Sequence, residues 1–170
     1  DNAGCANASD DTKKYTLIMY CNYYIEQEPQ NCFVAVDESD EPVGYILCCE
    51  NYDNYERVFS EVYLPQAAAI SAKRYVDAKM DMLTHSMFRE SYKCHFHIDV
   101  DENYQNAGLG TALIRALKTR LRKRRIESLM LVCDRQNERA VAFYKKNGFK
   151  PLIETKFGLA MGLDLNAEEL

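Results

Sequence analysis

The sequence predicts an α/β domain built on one mixed sheet, and three stretches in its second half carry that prediction. Residues 94–100 alternate, with Cys94, Phe96, Ile98 and Val100 on one face and His95, His97 and Asp99 on the other, the period-2 signature of a strand. Leu109, Leu113, Leu117 and Leu121 recur at every fourth position and lay one apolar stripe along a helix over 108–124. Residues 128–133 (Ser-Leu-Met-Leu-Val-Cys) are almost continuously apolar, as in a strand covered on both faces.

The remaining elements follow in chain order. Residues 12–27 are rich in Tyr and apolar side chains and stop short of Pro29, which predicts a helix. Residues 32–38 and 43–50 are β-rich and flank Ser39-Asp40-Glu41-Pro42, the composition of a turn, so they predict a hairpin. Residues 54–88 have helical composition interrupted by Pro65, which predicts two helices. After the strand at 128–133, Asn137 is placed to cap a helix that ends at Asn147-Gly148. Short strands near 151–156 and 158–164 close the chain.

Bulk properties narrow the class. A chain of 170 residues is one domain by length and buries a core without staples. A net charge of -5 argues against nucleic acid or an anionic membrane as partner. No apolar run approaches the roughly 20 residues that span a bilayer, and the opening Asp1-Asn2-Ala3-Gly4 lacks the apolar stretch of a secretory signal. The seven cysteines (5, 21, 32, 48, 49, 94 and 133) contain no C-x-x-C pair. They read as buried thiols in a reducing compartment rather than as disulfides or a zinc site, so the cytoplasm is expected.

The chemistry is expected where the strand ending at Val100 turns into the helix beginning near Gly108. A helix N-terminus leaves about four N–H groups unpaired and carries roughly half a positive charge. It binds anions where side chains do not block the approach. In Gln105-Asn106-Ala107-Gly108-Leu109-Gly110 the two glycines and the alanine clear that approach, and Thr111 adds a hydroxyl. A diphosphate could lie across amides 105–111 without a lysine. The loop is neither a P-loop, which needs Gly-Lys-Ser/Thr, nor a dinucleotide fingerprint, which needs a later Gly.

Further along stands Asn137-Glu138-Arg139-Ala140-Val141-Ala142-Phe143-Tyr144-Lys145-Lys146-Asn147-Gly148-Phe149. Loop and block together, in this order and spacing, resemble the GNAT superfamily of N-acetyltransferases. That family's loop reads Gln or Arg, two residues, Gly, one residue, then Gly or Ala. Its later block reads N-x-x-A-x-x-F/L-Y-x-x-x-G-F. The close resemblance covers residues 94–150, and the hairpin at 32–50 fits the strands that precede it in that fold. His95-Phe96-His97-Ile98-Asp99 followed by the loop is similar, more narrowly, to the acetyltransferase-like domains appended to O-GlcNAc hydrolases.

The resemblance implies a mostly antiparallel twisted sheet with splayed central strands and flanking helices. It also implies acetyl-CoA as the acyl donor. The pantetheine arm would lie on the backbone of Ile98, Asp99 and Val100, and the diphosphate on the amides of Gln105, Asn106, Ala107, Gly108, Leu109, Gly110 and Thr111. Asn137 matches the cofactor-side Asn, and Tyr144 matches the Tyr near the thioester sulfur. No metal is expected, although His95, His97 and Asp99 have a spacing that could hold one.

Amine attack on a thioester expels a thiolate, and a phenol with a pKa near 10 can protonate it, which suits Tyr144; packing in the apolar core is the plainer role for it. An alkylamine is neutral in only about one molecule in 2,500 at pH 7, so a base is also needed. His97, His95 and Asp99 share one face of the strand; a histidine titrates near working pH, whereas Asp99 would need burial to raise its pKa. They could equally be hydrogen-bonded core groups. Arg120 and Arg124 are candidates for attracting the polyanionic donor. Tyr15, Tyr20, Tyr23 and Tyr24 either border the acceptor site or fill the core.

The acceptor expected is a small-molecule or protein amine, and pairing as a homodimer is left open. GNAT domains normally begin with a strand and a helix ahead of the segment seen here. Only about thirty residues precede the first β-rich run, so either a longer protein has been trimmed or its first strand is missing and a sheet edge is bare. The rival reading is a catalytically inactive module that binds CoA or a protein partner, since a fold does not guarantee function.

Overall fold

The computed structural model describes residues 8–166; Cys5 and the polar opening residues 1–4 lie outside them. The first helical stretch starts at Ser9, whose hydroxyl accepts from the Thr12 amide. It runs as α1 (Asp10–Leu17), a π-helical turn (Ile18–Asn22) and α2 (Tyr23–Gln27), within the residues expected. The π turn adds a residue to one turn and so shifts the helix face. Met19 and the pair Tyr23 and Tyr24 are all buried as a result, while Tyr20 stays partly open. β1 (Cys32–Val36) and β2 (Pro42–Cys49) form the hairpin. Its turn is closed by Asp37, which accepts the amides of Ser39 and Glu41.

The middle stretch contains three helical segments rather than two. α3 (Tyr52–Val58) passes through a π turn (Phe59–Tyr63) into α4 (Leu64–Ile70). Pro65 sits in the first turn of α4, where its missing N–H costs nothing. The second break falls at Ser71, whose extended backbone and side chain cap α5 (Ala72–Ser86).

From there the expected order holds: β3 (His95–Val100), α6 (Leu109–Lys123), β4 (Ser128–Cys133), α7 (Glu138–Lys146), β5 (Lys150–Thr155) and β6 (Gly158–Asp164). The sheet order is β1-β2-β3-β4-β6-β5. Every pairing is antiparallel except β3 with β4, which run parallel and share one registered pair, His95 with Met130. The sheet is therefore mixed, mostly antiparallel and splayed at its centre.

One hydrophobic core lies on each side of the sheet. Tyr15, Ile18, Met19, Tyr23, Tyr24 and the α3–α4 side chains fill one. The α6 stripe of Leu113, Ile114, Leu117 and Leu121 fills the other against Phe96, Leu129 and Leu131. The β3 alternation is realised: Phe96, Ile98 and Val100 face the α6 core, whereas His95 and His97 meet Tyr24 on the opposite side. Arg120 and Arg124 point away from the donor loop: Arg120 donates to Asn31 and Arg124 to Glu50. Both tie α6 to the β1–β2 side of the sheet, which corrects their expected part in attracting the donor. Among the described residues no helix is long and apolar enough to cross a membrane.

Candidate active site

The donor cleft is built from the splay. Beyond His95, β3 bonds only β2, through Ile46 with Ile98, Tyr45 with Asp99 and Gly44 with Val100. The β4-facing backbone of Ile98, Asp99 and Val100 is thus left without a strand partner. Asp99 turns one carboxylate oxygen onto the Val100 amide at 3.0 Å.

The loop after β3 opens with a 3-10 turn (Glu102–Tyr104) capped by Asp101. Gln105 closes the loop, its side-chain amide donating to the Val100 carbonyl at 2.9 Å and its backbone amide leaning on Glu102. Asn106 and Gly108 both adopt left-handed backbone, with φ of 66° and 84°. That conformation is cheap for Asn and Gly alone. Ala107 and Leu109 flank Gly108, which caps α6 without a side chain. No described residue supplies a backbone acceptor to amides 106–111, which end at Thr111 in the exposed first turn of α6. Gly110 has a separate reason to be small: a Cβ there would meet Phe143 on α7. Tyr104 anchors the loop to the hairpin turn by donating to Asp37 at 2.9 Å.

α7 begins at Asn137, whose side-chain oxygen accepts the Ala140 amide at 3.0 Å; its side-chain NH₂ is what remains for a ligand. Tyr144, two turns on, packs edge-on against Phe96, Phe143 and Phe149. Burial, with Cys133 and Asp99 as charged-form neighbours, pushes its phenol pKa up. Tyr144 therefore stays protonated and stands near the open ends of β3 and β4.

On the opposite side of the sheet lies a cavity of about 760 Å³. Tyr20, Asp81, His85 and His97 form one wall, and the ends of β4, β5 and β6 form the other. Residues 132–136 and 154–158 make up that second wall, where Arg135 pairs with Glu154. The chain's three histidines (85, 95 and 97) all converge beside this cavity. Tyr24, fully buried, places its hydroxyl 3.0 Å from Nε2 of His95 and 2.9 Å from Nε2 of His97. Burial and the neighbouring His85 hold His97 down at about 3, and burial holds His85 at about 4. All are neutral at pH 7.

The expected base candidates separate here. His97 lines the cavity. His95 is 2% exposed and sits behind Tyr24, so it has no access to an acceptor. Of the tyrosines, Tyr20 lines the cavity while Tyr15, Tyr23 and Tyr24 belong to the core. Sequence reasoning missed Asp81 and His85. Their i, i+4 spacing on one face of α5 was a local signal, but only the packing of α5 against the sheet gives it meaning. Tyr20 hydrogen-bonds Asp81, and burial raises the Asp81 carboxyl.

The donor side of the molecule thus presents a strand pair joined by one rung, a row of amides at a helix start without backbone acceptors among the described residues, and a buried tyrosine packed on Phe96 of β3. The model of the acetyltransferase (GNAT) family matches residues 3–149. The chain belongs to that family. Among solved structures, the GNAT chain superposes on the structure of SsHAT with a TM-score of 0.78 and 24% identity, over 91% of this chain and 81% of that one. A Bacillus anthracis protein solved in complex with acetyl coenzyme A aligns with a TM-score of 0.52 and 17% identity, over 78% of this chain and 61% of that one. These likenesses concern the fold. A Bacillus subtilis relative, the uncharacterized protein YxbD, is 36% identical over 53 residues, 31% of this chain. That match spans about a third of the curated relative (33%).

Acetyl-CoA is the donor of the GNAT family, and the residues present fit it. The row of amides at 106–111 and the β3 backbone at Ile98, which has no strand partner on the β4 side, offer donors and acceptors where a diphosphate and an amide-containing arm need them. The Val100 amide and carbonyl are held by Asp99 and Gln105.

Proposed function

We propose that the protein is an acetyl-CoA-dependent N-acetyltransferase that transfers the acetyl group directly to a primary amine. The observation that carries this reading is the gap between β3 and β4. Tyr144 stands near that gap on the α7 side, and the cavity with His97 opens on the other.

Amides 106–111 would hold the diphosphate, with the Thr111 hydroxyl beside them. The backbone of Ile98, Asp99 and Val100 would hold the pantetheine arm, and the Asn137 NH₂ would border it. Acetyl-CoA supplies the acetyl group as a thioester, so that carbon–nitrogen bond formation breaks a carbon–sulfur bond and leaves a thiolate. Tyr144 holds the proton directed at that thiolate. Its raised pKa keeps that proton in place, so it serves the developing charge as a positioned hydrogen-bond donor rather than as a ready acid. Burial holds His97 at about 3, so it accepts a hydrogen bond from the amine and relays the shed proton to water rather than keeping it, and water restores Tyr144. Asp99 has one oxygen committed to the Val100 amide, which favours His97 over it as the base. Holding amine and thioester together supplies much of the rate, and no cysteine intermediate is needed.

The domain is read as one unit. The six described cysteines are free thiols, which supports a reducing compartment, the cytoplasm. The test is mass spectrometry of a panel of amines after incubation with acetyl-CoA, with calorimetric titration of CoA alongside. Transfer to at least one amine is expected. Binding of CoA without transfer to any amine would leave the chain a CoA-binding module.

A further inference from the structure

The α5 wall of the cavity, made of Tyr20, Asp81, His85 and His97, holds one group that ionises as an acid in the ordinary range and nothing to balance it. His85 and His97 are neutral at pH 7, because burial holds them at about 4 and about 3. Burial and the neighbouring Asp81 raise the Tyr20 phenol, which keeps its proton. The Asp81 carboxyl takes a hydrogen bond from that phenol, and among the described residues no lysine or arginine pairs with it.

The cations nearby are committed elsewhere. Lys73 pairs with Asp77, and Arg74 donates to Thr12 and lies over the Tyr15 ring. On the opposite wall Arg135 pairs with Glu154 and Lys156 lies over the Phe157 ring. Asp134, on that same wall, adds a further acid and accepts the Gln136 amide. A buried carboxylate without a counter-charge costs free energy, which is why burial raises the Asp81 carboxyl. A ligand cation seated beside it would reverse that cost.

Tyr20 also sets where that cation would lie. Its hydroxyl reaches Asp81, while its ring stands edge-on to His97 at 5.2 Å between centroids. One phenol ring therefore separates the carboxylate from the histidine beside the gap between β3 and β4. The cavity continues to Val132 and Cys133 at the β4 edge of that gap. Its volume of about 760 Å³ lies in the range of small-molecule sites, with room for an acceptor that has two functional ends.

We infer that Asp81 is a specificity-determining residue that seats a second, non-reacting cation of the acceptor, so that the amine acetylated belongs to a small dication of the linear diamine class. The reacting amine lies by His97 and the gap, and the distal ammonium lies on Asp81, where it donates to the carboxylate. An acceptor with a carboxylate at its distal end meets Asp81 as a like charge and is disfavoured. Calling the distal cation non-reacting rests on the proposed transfer reaction; the cation seat itself does not.

The test uses the full chain with a linear diamine, the monoamine of the same length and the amino acid of the same length with its carboxylate at the far end. With acetyl-CoA, wild-type kcat/KM for the diamine should exceed that for the monoamine by about 10- to 100-fold, the worth of a hydrogen bond to a charged group, and the amino acid should be the poorest. Asp81→Asn, with folding checked by circular dichroism, should raise the KM for the diamine by the same factor. It should leave the KM for the monoamine and for acetyl-CoA, and kcat, near their wild-type values. A residue that only held Tyr20 in place would move diamine and monoamine alike. Equal wild-type kcat/KM for diamine and monoamine would overturn the inference without any variant, as would a diamine preference that survives Asp81→Asn; in both cases the transferase reading stands. If no amine is acetylated, calorimetry of the diamine with the CoA-loaded protein decides. Binding that Asp81→Asn weakens leaves the cation site standing while the transferase reading falls, and binding that is absent or unchanged overturns the site as well.

Discussion

A methyl group on Gly110 would stand 2.9 Å from the ζ carbon of Phe143, so the first turn of α6 and the middle of α7 touch through hydrogen and ring alone. Phe143 in turn packs edge-on against Tyr144 at 5.2 Å between ring centroids. The donor loop and the proposed leaving-group residue are thus set by one contact. Gly110→Ala should push α7 outward and cost about 1–3 kcal/mol, the usual range for overpacking. A thermal melt should show a drop of several degrees, and calorimetry should show weaker CoA binding. A variant with unchanged melting and affinity would mean that Phe143 yields freely.

Tyr144→Phe removes one hydroxyl and keeps the ring that packs on Phe96 and Phe149. Acetyl transfer should fall by roughly 10²- to 10⁴-fold, the range for loss of a positioned proton donor, while CoA affinity and melting temperature hold. An unchanged rate removes Tyr144 from the mechanism.

Stability should decline as the solution is acidified below about 6.5, the ordinary histidine pKa. Burial holds His85 at about 4 and His97 at about 3, so in that window the unfolded chain binds protons that the folded chain refuses. Each such group then lowers stability by up to about 1.4 kcal/mol per pH unit. The contribution is intact above the unfolded pKa and is lost as the pH falls toward the folded one. Asp81, raised by burial, acts in the opposite sense, but it is one group against the histidine cluster. Melting curves from pH 8 to pH 5 measure this, and His85→Gln should flatten the slope.

Tyr104 and Asp37 join the donor loop to the hairpin turn through one part-buried hydrogen bond. Tyr104→Phe should raise the Kd for CoA about threefold, in keeping with a single such bond, and leave the melt unchanged. No change in Kd would show that the left-handed residues Asn106 and Gly108 hold the loop unaided.

What the residues revealed in advance was whatever repeats locally. The alternation of 94–100, the leucines of α6 and the loop between them could be read because period and motif are properties of neighbouring positions. The π turns could not, since Ile18–Asn22 and Phe59–Tyr63 carry no composition that separates them from ordinary helix. The third helical segment was missed because Pro65 drew attention from Ser71, whose hydroxyl cap was an available signal. The acceptor side was the least readable: Asp81 and His85 reach His97 only when α5 docks on the sheet. Arg120 and Arg124 misled for the same reason, because their partners Asn31 and Glu50 are remote in sequence.

The lone rung between His95 and Met130 also makes the sheet mechanically two plates on one hinge pin. Strands β1 to β3 form one plate and β4 to β6 the other, and α6 side chains pack across the seam against Phe96, Leu129 and Leu131. A ligand arm that bonded both plates along the rest of the seam would supply the missing rungs. Amide hydrogen exchange would then slow along β3 and β4 together, and the molecule would be stiffest while loaded and most compliant between turnovers.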